Sequence, residues 1–138
     1  MNTMTPTLIA LTGFISWSLL LLVLMESIRS WLVLTKAVPA NGFTPDNANL
    51  SPFMQRLARA HANCIEGLPI FGGLMLVAIV SDRTALTDPL AYVFLGARVV
   101  QSLIHLGSLS ATAVTLRFSA FAVQMGIGVY WAACLIAT

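Results

Sequence analysis

Arg59, Asn63 and Glu66 stand at i, i+4 and i+7, so a helix turning 100° per residue sets all three on one face within about 60° of each other. A guanidinium, an amide and a carboxylate on one stripe can hold a small polar ligand. Arg grips a carboxylate through two parallel N–H bonds, and Glu can hold an ammonium. A second stripe, Arg98, Gln101, Ser102 and His105, shares a helical face, and Arg117 adds a further cation. Such a cavity suits a peptide-like molecule carrying carboxylates and an amine. The same residues allow a plainer reading, in which Glu66 and Arg98 neutralise each other to hold a bundle together, and the residues alone leave both open. Outside the stripes, Glu26 and Arg29 at i, i+3 suit an interfacial ion pair. His61, turned about 200° from Arg59, suits a hydrogen bond to a neighbour. Gln124 suits an amide bond between helices.

The elements that must position these groups are membrane-like. Of 138 residues, 58% are hydrophobic and 9% charged, against roughly 25% charged in soluble domains. The polar run 59–71 passes without a break into Gly72-Gly73-Leu74-Met75-Leu76-Val77-Ala78-Ile79-Val80. A carboxylate facing lipid costs about 2.5 kcal/mol or more, so Glu66 is expected to line a bundle interior or a wet cavity. The net charge of +2 comes with Lys and Arg scattered singly, which excludes a nucleic-acid face. No positive charge precedes the first apolar run, so that segment is expected to remain in the protein rather than act as a cleaved leader. Cys64 and Cys134 lack the spacing of a disulfide framework or a zinc site, and no metal is expected.

Four spans follow, in one domain over 1–138: helices at about 8–36, 52–80, 89–106 and 116–136, an all-α up-down bundle. The stretch 38–47, dense in Pro, Gly and Asn, is the main loop, and Ser51-Pro52 supplies a cap and a first-turn proline. Helix two, 29 residues or about 43 Å, outruns the hydrocarbon and projects its charged first half into the headgroups. Gly72-Gly73 suits close helix contact. Residues 107–115, rich in Ser and Thr, are expected to be the third connection, with Arg117 at the start of helix four. Arg29, Lys36, Arg56, Arg59 and Arg117 lie at the ends joined by the first and third connections, against Arg83 alone opposite. That bias predicts cytoplasmic connections there and both termini outside.

The run Arg59-Ala60-x-x-Asn63-Cys64-x-Glu66-x-x-Pro69-x-Phe71 resembles the MAPEG family, the membrane-associated proteins of eicosanoid and glutathione metabolism. It is close to the leukotriene synthase branch, while Arg59-Ala60-His61-x-Asn63 is similar to prostaglandin E synthase and bacterial members. The stretches Arg98-x-x-x-Ser102-x-x-His105 and Val114-x-x-Arg117-Phe118-x-x-Phe121 look like a bacterial branch. The resemblance implies a homotrimer in the lipid bilayer, binding glutathione between protomers near the cytosolic face. It further implies glutathione contacts from Arg59, Asn63 and Glu66, with Arg98, Gln101 and His105 at matching helix-three positions, and Arg117 as the catalytic partner of the thiolate. The sequence departs from the family pattern in three places. Ala62 replaces an arginine of prostaglandin E synthase, Gly67 replaces a tyrosine that often follows the glutamate, and an ungapped alignment puts Val114 where the catalytic arginine stands. The function expected is a glutathione-dependent transferase or peroxidase acting on lipophilic small-molecule electrophiles. The alternative is a non-catalytic membrane protein, a structural partner or small transporter, with a buried Glu66–Arg98 pair.

Overall fold

The computed structural model describes residues 4–137, and all regular structure among them is helical. Four helices are long and apolar enough to cross a membrane: α1 (Pro6–Leu34), α2 (Pro52–Val80), α3 (Asp88–Gly107) and α4 (Ala111–Ala137). These helices make it an integral membrane protein. Successive helices alternate in direction. Thr7 at the start of α1 meets the start of α3, donating from its backbone N–H and its hydroxyl to Asp88 Oδ1 at 3.0 and 2.6 Å. At the same end Arg83 Nη2 donates to the last carbonyls of α4, Cys134 O at 3.2 Å and Leu135 O at 2.8 Å. At the opposite end Arg56 Nε donates to Leu106 O at 2.8 Å, serving a carbonyl that the end of α3 leaves without a helical donor.

Local sequence explains the starts. Thr5 and Ser51 cap α1 and α2 by accepting from Leu8 N and Met54 N, each with proline at the first helical position. Within α2, Pro69 offers no N–H to the carbonyl of Ile65 and its ring crowds that carbonyl. The helix widens there into a π turn over Leu68–Gly72 before α-geometry resumes at Gly73. Of the two adjacent glycines, only Gly72 lies against another helix: a Cβ there would come 3.3 Å from Leu11 Cδ1 of α1, whereas Gly73 faces open space.

Helix four begins at Ala111, ahead of the expected 116. Ser110 caps it, accepting from Ala113 N through its hydroxyl at 3.1 Å and from Val114 N through its carbonyl at 2.9 Å. Thr115, read as loop chemistry, returns its hydroxyl to Ala111 O within the helix, as Ser119 does to Thr115 O. Arg117 therefore lies nearly two turns inside α4 rather than at its start.

The core is an aromatic cluster drawn from all four helices. Phe94 is its hub, with ring centroids 5.7 Å from Phe14, 5.0 Å from Phe71 and 5.6 Å from Trp131, and Phe121 stands edge-on to Phe71 at 6.4 Å. The first connection folds onto Arg29, which pairs with Glu26 at 3.0 Å and also donates to Asn47 Oδ1 and Thr44 O. Asn47 is fully buried with φ 56°, and its amide reaches Met54 O at 2.8 Å. The Thr44 hydroxyl and the Ala48 N–H hold the Asp46 carboxyl below its usual pKa in this loop.

Candidate functional site

Three of the residues singled out by spacing meet in the bundle. Arg98, on the face of α3 turned to α2, is fully buried and donates from Nη1 to Asn63 Oδ1 at 2.7 Å. Gln101, one turn on, donates from Nε2 to the same oxygen at 3.3 Å. Gln124 of α4 extends the chain, donating to Gln101 Oε1 at 2.8 Å, the interhelical amide bond expected of it. Arg98 also lies over the Phe14 ring, 5.3 Å from its centroid, while its Nε and Nη2 are buried without a partner.

Glu66 is not part of this cluster. It is exposed on the single chain, and the only ion pair among the described residues is Arg29–Glu26. The buried Glu66–Arg98 pair of the alternative reading is thus absent among the described residues. The reason is rotational: Asn63, one turn earlier on α2, faces α3 and takes the guanidinium, while Glu66 turns outward.

A second, outer group lies toward the loop end of the same face. His105 is buried in the last turn of α3, within electrostatic reach of Arg117 and Arg59. Arg59 is exposed, and Arg117 is half-buried with Nη1 shielded and unpartnered. Seven residues separate Arg98 from His105, about 10 Å along the helix, so the two groups form the inner and outer ends of one polar strip.

Beside the strip, between α2 and α4, runs a groove of about 640 Å³. Asn63, Glu66 and Gly67 form its polar end, and Phe71, Leu74, Phe121, Met125 and Val129 its apolar wall. Two glycines shape it. A Cβ at Gly67 would stand 2.8 Å from Arg98 Nη2, and one at Gly128 would stand 2.7 Å from Phe71 Cε1. The family resemblance marks Gly67 as a lost side chain; in the structure its missing Cβ is the room the guanidinium occupies. No signal in the sequence points to Gly128.

The arrangement offers an amide and an outward carboxylate at one end of an apolar groove, with the buried Arg98 behind Asn63 and Gly67. A family model described as the MAPEG family matches residues 8–137. The chain belongs to the MAPEG family. No curated protein and no solved structure matches it significantly. In this MAPEG chain the helix-two motif is split by the fold, Asn63 turning in to α3 while Arg59 and Glu66 face out.

Proposed function

We propose that this protein is a glutathione-dependent transferase or peroxidase acting on lipophilic electrophiles. The observation that carries the reading is Arg98, a fully buried cation with an amide for a partner and two guanidinium nitrogens unmet. A buried, uncompensated charge is costly and calls for an anion. Glutathione fits the donor set: Arg59, Arg98 and Arg117 can meet its two carboxylates and its sulfur, Glu66 its ammonium, and Asn63 Nδ2, unused within the chain, a carbonyl. Gln101 holds Asn63, and His105 lies within electrostatic reach of Arg117 and Arg59. When bound, glutathione supplies a thiolate nucleophile whose sulfur bonds to the electrophilic carbon as the leaving group departs. The chain's part is to hold the peptide, favour the charged sulfur through Arg117, and offer the electrophile an apolar groove.

The homotrimer that the family resemblance implies would meet the same cost. Glu66 is exposed on the single chain, at a depth where facing lipid would cost about 2.5–3.5 kcal/mol, and a neighbouring copy with its ligand would cover it. Residues 38–51 would lie in the cytoplasm and both termini in the periplasm of a bacterial inner membrane.

Purified protein in detergent, given glutathione and a chloronitrobenzene, should form the conjugate and be inhibited by S-methylglutathione. Glutathione flux across vesicles with no conjugate formed would replace the transferase reading with the transporter.

A further inference from the structure

An amide side chain can be turned over without changing its shape, so which end is donor must be read from its partners. Here the partners decide. Arg98 can only donate, so the atom of Asn63 at 2.7 Å must be oxygen. Gln101 meets that oxygen with nitrogen, which turns its own oxygen toward Gln124. At the far end the Ala120 carbonyl, which can only accept, takes Gln124 Nε2 at 3.1 Å. Both ends of the chain of amides thus impose one polarity. That polarity has a cost, because Gln124 Oε1 is left buried with no partner.

We propose that Gln124 is a positioning residue: through Gln101 it fixes Asn63 with its oxygen inward, so that the Nδ2 donor faces the groove. With Gln124 donating, Gln101 cannot turn over, and Asn63 Oδ1 keeps two donors, Arg98 Nη1 and Gln101 Nε2. Without it Gln101 Oε1 loses its donor, the Gln101 side chain is held from one end only, and the 3.3 Å bond it gives Asn63 Oδ1 loosens. The groove would then lose a fixed donor beside Glu66. The inference rests on Asn63 being a glutathione contact, and it adds a residue on α4 that touches no ligand.

Two variants separate polarity from packing. Gln124→Leu removes the donor. Gln124→Glu keeps the shape, and in its protonated form the carboxyl still donates to Gln101 Oε1. Calorimetry of S-methylglutathione on the full chain in detergent at pH 6 should show Gln124→Leu binding about threefold to tenfold more weakly, and Gln124→Glu within about twofold of the parent. Equal binding by all three proteins, or the same deficit in both variants, overturns the relay. The side-chain amide resonances give a readout free of glutathione. The Asn63 and Gln101 signals should form one set in the parent and in Gln124→Glu, and split or broaden in Gln124→Leu. If the parent does not bind S-methylglutathione, the glutathione reading falls and the amide spectrum decides the relay, one set in all three proteins overturning it.

Discussion

Arg98 Nη1 meets Asn63 Oδ1 at 2.7 Å in the middle of the bundle, a cation answered by an amide rather than by a carboxylate. A charge kept only to hold helices together would be paired, since truncating a buried pair costs about 3–5 kcal/mol. Arg98 has no such pair to break. Arg98→Met, of similar reach and no charge, should therefore melt at the parent's temperature or above it. The same variant should lose glutathione affinity by on the order of 1.5–3 kcal/mol, the range for a bond to a charged group. A large fall in melting temperature with binding retained would assign Arg98 to the scaffold.

The glycines divide by what a methyl would strike. Gly128→Ala drives a Cβ to 2.7 Å from Phe71 Cε1, and moving Phe71 would break its packing on Phe94 and Phe121, so a loss of about 1–3 kcal/mol is expected. Gly73→Ala meets nothing within 4 Å and should gain up to about 1 kcal/mol from helix propensity. Gly67→Ala should displace the Arg98 guanidinium and weaken glutathione binding more than it lowers stability. Thermal unfolding and calorimetry on the three variants check the order, and a stability cost at Gly73 equal to that at Gly128 would contradict it.

Asn47 ties the first connection to both of its helices. Its side chain is fully buried, accepts from Arg29 and donates to Met54 O, and its φ of 56° is one that Asn tolerates better than Ala. Asn47→Ala should cost about 2–4 kcal/mol, from two unmet polar partners and the backbone conformation. Asn47→Asp keeps the acceptor for Arg29 but not the donor for Met54 O, and should fall between. Proteolysis rates in the 38–51 connection would follow the same order.

The spans could be read from the sequence because hydrophobic length and Pro or Ser caps act locally. The start of α4 could not, since the hydroxyls of Ser110, Thr115 and Ser119 serve a helix as readily as a loop, and only tertiary packing chooses. The stripes placed Arg98 and Gln101 on one face, but helical spacing says nothing of which neighbour they meet. Whether Asn63 or Glu66 takes the guanidinium depends on the rotation of α2 against α3, a few tens of degrees that no residue count contains. Gly67 was illegible for another reason: its contribution is an absence of atoms, visible only once Arg98 stands beside it.

Arg117 is the residue proposed to act on the sulfur, and its place two turns inside α4 sharpens the test. A thiol with a pKa near 8.5 is mostly protonated at neutral pH, while the thiolate is the nucleophile. A fixed guanidinium favours the charged form and cannot lose its own proton. Arg117 Nη1 is shielded and unpartnered, whereas a mere topology anchor would turn its head to water. Arg117→Lys keeps the anchor's charge but not the planar fork. It should cut turnover about 10²-fold, the scale for one positioned donor, with S-methylglutathione binding changed little. Arg98→Lys is the comparison, since Arg98 also carries unmet nitrogens, and it should weaken binding instead. Thiolate absorbance of bound glutathione, titrated against pH, separates them. The pKa of the bound thiol should rise toward its free value in Arg117→Lys and stay low in Arg98→Lys. The reverse pattern would move the catalytic role to Arg98, and no shift in either variant would remove it from both.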